Sequence, residues 1–115
     1  MVTIKHRIAL DLAKSTLANK LAKHPLHKHF KVGKTTQTLD ERFSQNYKDK
    51  YDGIDELYNA GSDGALVDWL EEQMIAYCLD TFGKRECDND QVGGGPTCED
   101  NADKDNPAKL YLVWR

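Results

Sequence analysis

A glycine-lysine-threonine run is the first place in this 115-residue chain where residue types and spacing invite chemistry. Val32-Gly33-Lys34-Thr35 reads like the end of a phosphate-cradling loop, but such a loop needs another glycine five residues before Gly33, and Lys28 stands there. Without it the backbone amides cannot form the cradle, which excludes nucleotide hydrolysis of that kind. A pair of adjacent carboxylates, Glu71 and Glu72, is a stronger candidate. At 100° per residue Glu71 falls beside Val67, Met74 and Cys78 at the edge of an apolar stripe, whereas Glu72 points to solvent. A carboxylate on a core face is costly unless it meets a metal ion, an arginine or several donors. The plain alternative is a boundary glutamate paired with a lysine. Arg42 flanks the Leu39 and Phe43 stripe, where its planar fork can reach a neighbouring phosphate or rest as a surface arginine. His24, His27 and His29 cluster in HPLHKH, but Pro25 breaks the local geometry, so a polar linker is the reading preferred over a metal site. Cys78, Cys87 and Cys98 are spaced like neither a zinc knuckle nor a redox pair, and reduced thiols are expected. Cys87 and Cys98 bracket a Gly-rich loop and could join only in an oxidising compartment.

The elements that must position these residues follow from periodicity. Ile4, Ile8, Leu12, Leu17 and Leu21 recur at helical spacing, so residues 3–23 are expected as an amphipathic helix that presents this stripe to the core, stopped by Pro25. His29 to Lys34 alternates apolar and basic residues as a half-buried strand does. Thr38 and Glu41 have the spacing of a capping box, in which Glu41 reaches back to the Thr38 amide, opening a helix with Leu39, Phe43 and Tyr47 inside. Residues 53–58 alternate as a strand, closed by turn residues 59–64. Leu66, Val67, Leu70, Met74, Tyr77 and Cys78 mark a helix over 63–81, ended by Gly83. Residues 84–107, with Gly93, Gly94, Gly95 and Pro96, lose periodicity and are expected as a surface loop. Leu110 to Trp114 is a strand in need of sheet partners. Trp69, Trp114 and Tyr77 are expected in the core. The expectation is one α+β domain over 1–115: an N-terminal helix (1–24), a core (28–82), an acidic loop (84–107) and a last strand (109–115), built as a three-stranded antiparallel sheet flanked by about three helices.

The formal charge of −3 conceals an asymmetry. Residues 1–50 carry eleven Lys/Arg against four Asp/Glu, and residues 51–115 carry five against fifteen. A basic half suits a phosphate backbone, and an acidic half suits a metal ion or a solvated surface. No apolar run approaches the roughly 18 residues of a membrane span, and Asp11 and Lys14 interrupt the N-terminal stretch too early for a secretory signal. A cytoplasmic protein without membrane association is expected.

Lys31-Val32-Gly33-Lys34-Thr35 followed by Leu39-Asp40-Glu41-Arg42-Phe43 resembles the second motif and first helix of GIY-YIG endonucleases, in the branch whose second motif reads Lys-Ile-Gly. Leu70-Glu71-Glu72-Gln73-Met74-Ile75 resembles the helix carrying that family's metal-binding glutamate, and Cys87-Asp88-Asn89 its late asparagine motif. The resemblance covers roughly residues 29–90. The family's first motif, Gly-Ile-Tyr on a strand about ten residues earlier, has no counterpart near Leu17 to Pro25. The expectation is that the C-terminal strand takes the missing strand's place, as a circular permutation would, with Tyr111 standing in for its tyrosine.

What the resemblance implies is a divalent-metal-dependent endonuclease hydrolysing DNA phosphodiesters. Glu71 would bind Mg²⁺ or Mn²⁺, Arg42 would clamp the phosphate, and Tyr111 or else Tyr47 would take or relay the nucleophile's proton. Lys28, Lys31 and Lys34, with Asn89, would hold nucleic acid. One small domain reads few bases, so a homodimer or a specificity-supplying protein partner is implied. The alternatives are an inactive nucleic-acid-binding module of the same fold, or a small regulatory protein docking a basic partner through its acidic half.

Overall fold

The computed structural model describes residues 2–25, 28–90 and 97–115. Its elements run α1 (Ile4–Lys23), β1 (Phe30–Thr35), α2 (Leu39–Asn46), β2 (Gly53–Gly61), α3 (Gly64–Phe82) and β3 (Ala108–Trp114). The three strands form an antiparallel sheet in the order β1-β3-β2. This is the α+β class, with three helices on a three-stranded antiparallel sheet. His27 and the Gly93 to Pro96 run lie outside the described residues. No helix among the described residues is long and apolar enough to cross a membrane.

The last strand is the central one. β3 pairs Phe30↔Trp114 through Thr35↔Lys109 on one side and Gly53↔Trp114 through Gly61↔Ala108 on the other. A strand with a partner on each edge and helices on both faces has no wet side, and β3 is buried from Ala108 through Val113. Its alternation sorts the core in two. Leu110 and Leu112 join Val32, Leu57 and the inner faces of α1 and α3, while Tyr111 and Val113 join Tyr47, Tyr51, Leu39, Phe43 and Ile54.

α3 follows its sequence pattern, with Leu66, Val67, Leu70, Met74 and Cys78 buried and Gly83 at φ 73° ending it. Only glycine takes that left-handed conformation without strain. Trp69, Tyr77 and Trp114 are half-buried against the core rather than within it.

α1, β2 and α2 also depart from expectation. α1 buries Ala9, Ala13 and Leu17, while Ile4, Ile8 and Leu12 face solvent. The bulky residues of α3 decide this: Trp69 meets the His6 ring edge-on at 4.8 Å and Tyr77 lies under Lys14, so the seam between the helices takes small alanines. β2 continues to Gly61 instead of turning at Asn59, with register shifts between Glu56 and Tyr58 and between Asn59 and Gly61 that let Leu57 turn inward. At α2 the Thr38 hydroxyl accepts from the Glu41 amide, but the Glu41 carboxylate takes the Thr38 hydroxyl at 2.9 Å rather than its amide.

The loop after α3 does not simply cross the surface, because Cys87, Asn89 and Cys98 are buried. Phe30 donates its amide to the Glu86 carbonyl, and Asp88 donates to the Phe30 carbonyl. Asn89 then accepts from the Val32 amide at 3.0 Å and donates to the Val32 carbonyl at 2.9 Å. The outer edge of β1 is thereby paired by a loop and one side chain, which closes an edge that would otherwise recruit another strand.

Candidate functional site

Around Gly33 of β1 the structure brings together three of the residues singled out from sequence, Arg42, Tyr47 and Tyr111. Gly33 stands opposite Tyr111 in the β1–β3 register. A Cβ on Gly33 would run into the Tyr111 hydroxyl, so glycine is required there for the phenol to lie flat across the strand. Tyr47, the C-cap of α2, meets the same hydroxyl oxygen to oxygen at 2.6 Å. Arg42, one helical turn earlier, donates from Nε to the Tyr111 oxygen at 3.2 Å. The central strand β3 thus places Tyr111 beside both Tyr47 and Arg42.

α3 supplies a second group, on the other face of the sheet. Glu71 is buried at 8% exposure, and Glu72 is exposed. Lys34 turns inward to α3, its ammonium 3.1 Å from Asp68 and 3.5 Å from Glu71. Asp68 is the member that the sequence reading missed. Its i, i+3 spacing from Glu71 on a helix was the available signal. Asp68 also accepts from the amides of Cys98 and Glu99 at 2.8 and 3.0 Å, tying the segment before β3 to α3.

Charge and burial act against each other throughout. Burial pushes the Glu71 carboxyl above its ordinary range, with the charges of Lys34 and Arg42 opposing and Asp68 adding to the rise. Burial works against the Lys34 ammonium, but Glu71 and Asp68 outweigh it and hold the lysine charged. Burial and the neighbouring Tyr47 raise Tyr111 well above the ordinary phenol value while Arg42 pulls it down, so Tyr111 is a neutral phenol at pH 7. These residues form two groups on opposite faces of the sheet, Arg42 with the Tyr47 and Tyr111 phenols on the α2 side and Lys34 with Asp68 and Glu71 on the α3 side, linked by the charge of Arg42 acting on Glu71. The first can hold an anion at Arg42 and pass a proton between Tyr47 and Tyr111.

The remaining candidates lie elsewhere. Lys31 directs its ammonium toward the Tyr47 ring, 6.0 Å from the centroid. Lys28 lies before β1 and lines two adjoining hollows of about 420 and 490 Å³ with Phe82, Arg85 and Glu86. Asn89 spends its side chain on Val32 and also receives the Cys87 thiol at 3.3 Å, which makes it a strut for β1. His24 stacks on Trp114 at 3.8 Å near Asp55, whereas His29 lies 3.6 Å from Asp88, so these two histidines serve different neighbourhoods. Asp88 in turn binds Arg115 and the Tyr51 hydroxyl. The three cysteines are free and buried. Cys87 and Cys78 share a hydrogen bond that, against burial, lowers Cys87 to about 7, while Cys98 sits in a separate apolar cluster with Val67 and Ala108.

Among the described residues no group of three or more His, Cys, Asp or Glu side chains could enclose a metal ion by itself. Glu71 with Asp68 fits the looser arrangement in which one or two carboxylates share a hard cation with water and a substrate phosphate. Compared with known proteins, the chain matches no family model, no curated sequence and no solved structure.

Proposed function

We propose that the chain is a GIY-YIG-like, divalent-metal-dependent endonuclease that hydrolyses DNA phosphodiesters, acting in the cytoplasm. The observation that carries this reading is Tyr111: it comes from the other end of the chain, yet its hydroxyl sits 3.2 Å from Arg42 and 2.6 Å from Tyr47. Glu71 is the group that would hold Mg²⁺ or Mn²⁺, with Asp68 beside it. When bound, the cation supplies Lewis-acid stabilisation of the charge that develops on the phosphate and the leaving oxygen. Arg42 stands half-exposed, where its guanidinium can hold a phosphate oxygen while Nε keeps Tyr111 in place. Tyr111 would take the nucleophile's proton as its own hydroxyl proton passes to Tyr47 and the Tyr47 proton leaves to water. The charge of Lys34 opposes the burial that raises the Glu71 carboxyl, and Lys34 must yield part of that carboxylate to a cation. Lys31 and Lys28, farther along the chain's basic half, would supply phosphate contacts that weaken with salt. A second copy or a partner protein would supply site selection.

The test is plasmid nicking at low salt with Mg²⁺ or Mn²⁺, run beside Glu71→Gln and Arg42→Ala. Loss of cutting of at least about 100-fold in both variants, with both still folded, supports the reading. A folded wild type that never nicks removes it.

A second reading is favoured by the ion pairs themselves. Lys34 already pairs with both Glu71 and Asp68, as it would in a catalytically silent module that binds nucleic acid. Salt-sensitive DNA binding without nicking at any metal concentration would identify that case.

A further inference from the structure

The exposed large hydrophobic residues among those described are Val2, Ile4, Ile8 and Leu12, at 51, 75, 55 and 52% exposure, and all four belong to α1 or its entry. Ile4, Ile8 and Leu12 follow one another at i, i+4 and i+8, so they form one continuous stripe along the first three turns. The opposite face of the helix is spent on the core through Ala9, Ala13 and Leu17. The stripe is therefore additional to what the fold uses, and isolated apolar exposure does not account for it.

We propose that this stripe binds a second copy of the chain, with the two α1 helices antiparallel about a twofold axis at Ile8. The spacing is self-complementary. With Ile8 on Ile8 of the other copy, Ile4 meets Leu12 twice, as an isologous contact demands. The charges agree with this choice of occupant. Arg7 and Asp11 border the stripe on the same side, both exposed, and neither makes an ion pair among the described residues. In antiparallel helices same-side flanking positions face each other, which sets Arg7 of each copy beside Asp11 of the other. Lys5, on the opposite flank, is already neutralised by Asp63 at 2.7 Å and brings no repulsion. A membrane surface or an anionic partner would place no value on Asp11. Three apolar side chains per copy make a contact smaller than the roughly 800 Å² per partner of stable complexes, so the dimer is a weak one. This assembly rests on α1 alone and stands apart from the nuclease reading.

Sedimentation equilibrium on the whole chain tests it, with circular dichroism to verify that each variant folds. The wild type is expected to pass from monomer to dimer as concentration rises toward about 500 µM, and Ile8→Glu to stay monomeric. Arg7→Glu and Asp11→Arg each put like charges face to face twice and should weaken the dimer by about fivefold or more. Mixed together, the two charge variants restore both pairs and should associate as a heterodimer about as tightly as wild type. A wild type that stays monomeric overturns the proposal and leaves the stripe to another partner or a membrane. A dimer indifferent to Ile8→Glu, or charge variants that fail to rescue one another, overturns it equally.

Discussion

Tyr111 shows why single residues here must be judged with their neighbours. Alone it is a core aromatic, buried to 1% exposure. With Arg42 and Tyr47 on its hydroxyl it becomes a phenol that can exchange a proton. Tyr111→Phe keeps the ring and removes only the oxygen, leaving Arg42 Nε and the Tyr47 hydroxyl without that partner. We expect a loss of about 1–2 kcal/mol in urea-unfolding stability and a fall in nicking rate of about 100-fold or more. The buried Glu71 and the half-buried Asp88 should respond to pH in opposite senses. Burial raises Glu71 in the folded chain, so its contribution is fullest below the ordinary glutamate value and shrinks as pH climbs through the raised one. Asp88 is also pushed up by burial, but the Arg115 and Tyr51 hydrogen bonds outweigh this and hold it below the usual range. Its contribution is present above the ordinary aspartate value and is lost as pH falls through the depressed one. Unfolding midpoints measured across the acid range should show Glu71→Gln removing a decline on the rising side. Asp88→Asn should remove a decline on the falling side.

At the scale of elements, α1 and β1 carry the clearest consequences. The face of α1 that packs is the Ala9, Ala13 and Leu17 face, so Leu17→Ala should cost about 2–4 kcal/mol by opening a cavity. Ile8→Ala, on the exposed stripe, should change monomer stability by less than about 0.5 kcal/mol. The reverse ranking would return α1 to the orientation its hydrophobic spacing suggests. β1 depends on Asn89 in the same way that a strand depends on its neighbour. Asn89→Ala leaves a buried amide and a buried carbonyl of Val32 without partners, at about 2–4 kcal/mol. Hydrogen exchange at the Val32 amide should accelerate before the β3 amides do, because β3 remains paired on both sides.

For the molecule as a whole, the decisive fact is that the final strand lies in the middle of the sheet. Removing residues 108–115 would leave β1 and β2 without a common partner and take Leu110, Leu112, Tyr111 and Val113 out of both halves of the core. The shortened chain should show no cooperative thermal transition, whereas removing only Arg115 should cost the Asp88 contact and keep the fold. Much of this architecture was legible in local chemistry. The α3 stripe, its glycine stop, the inward choice of Glu71 over Glu72, the Thr38 cap and the strand character of Leu110 to Trp114 each depend on neighbours within a few residues, where periodicity and capping speak directly. The rest depended on distant groups. Ile4, Ile8 and Leu12 form the better apolar stripe by spacing, yet Trp69 and Tyr77 across the helix seam selected the alanine face. Lys34 looked like a surface cation until Asp68 and Glu71 drew it inward, and Asn89 looked like a ligand contact until Val32 used both of its polar atoms. By itself the sequence determined the kind and approximate extent of each element, because hydrogen bonding and amphipathicity within an element are local. Only the tertiary structure decided which faces meet and which charges pair, because burial is a property of contacts between residues far apart in the chain.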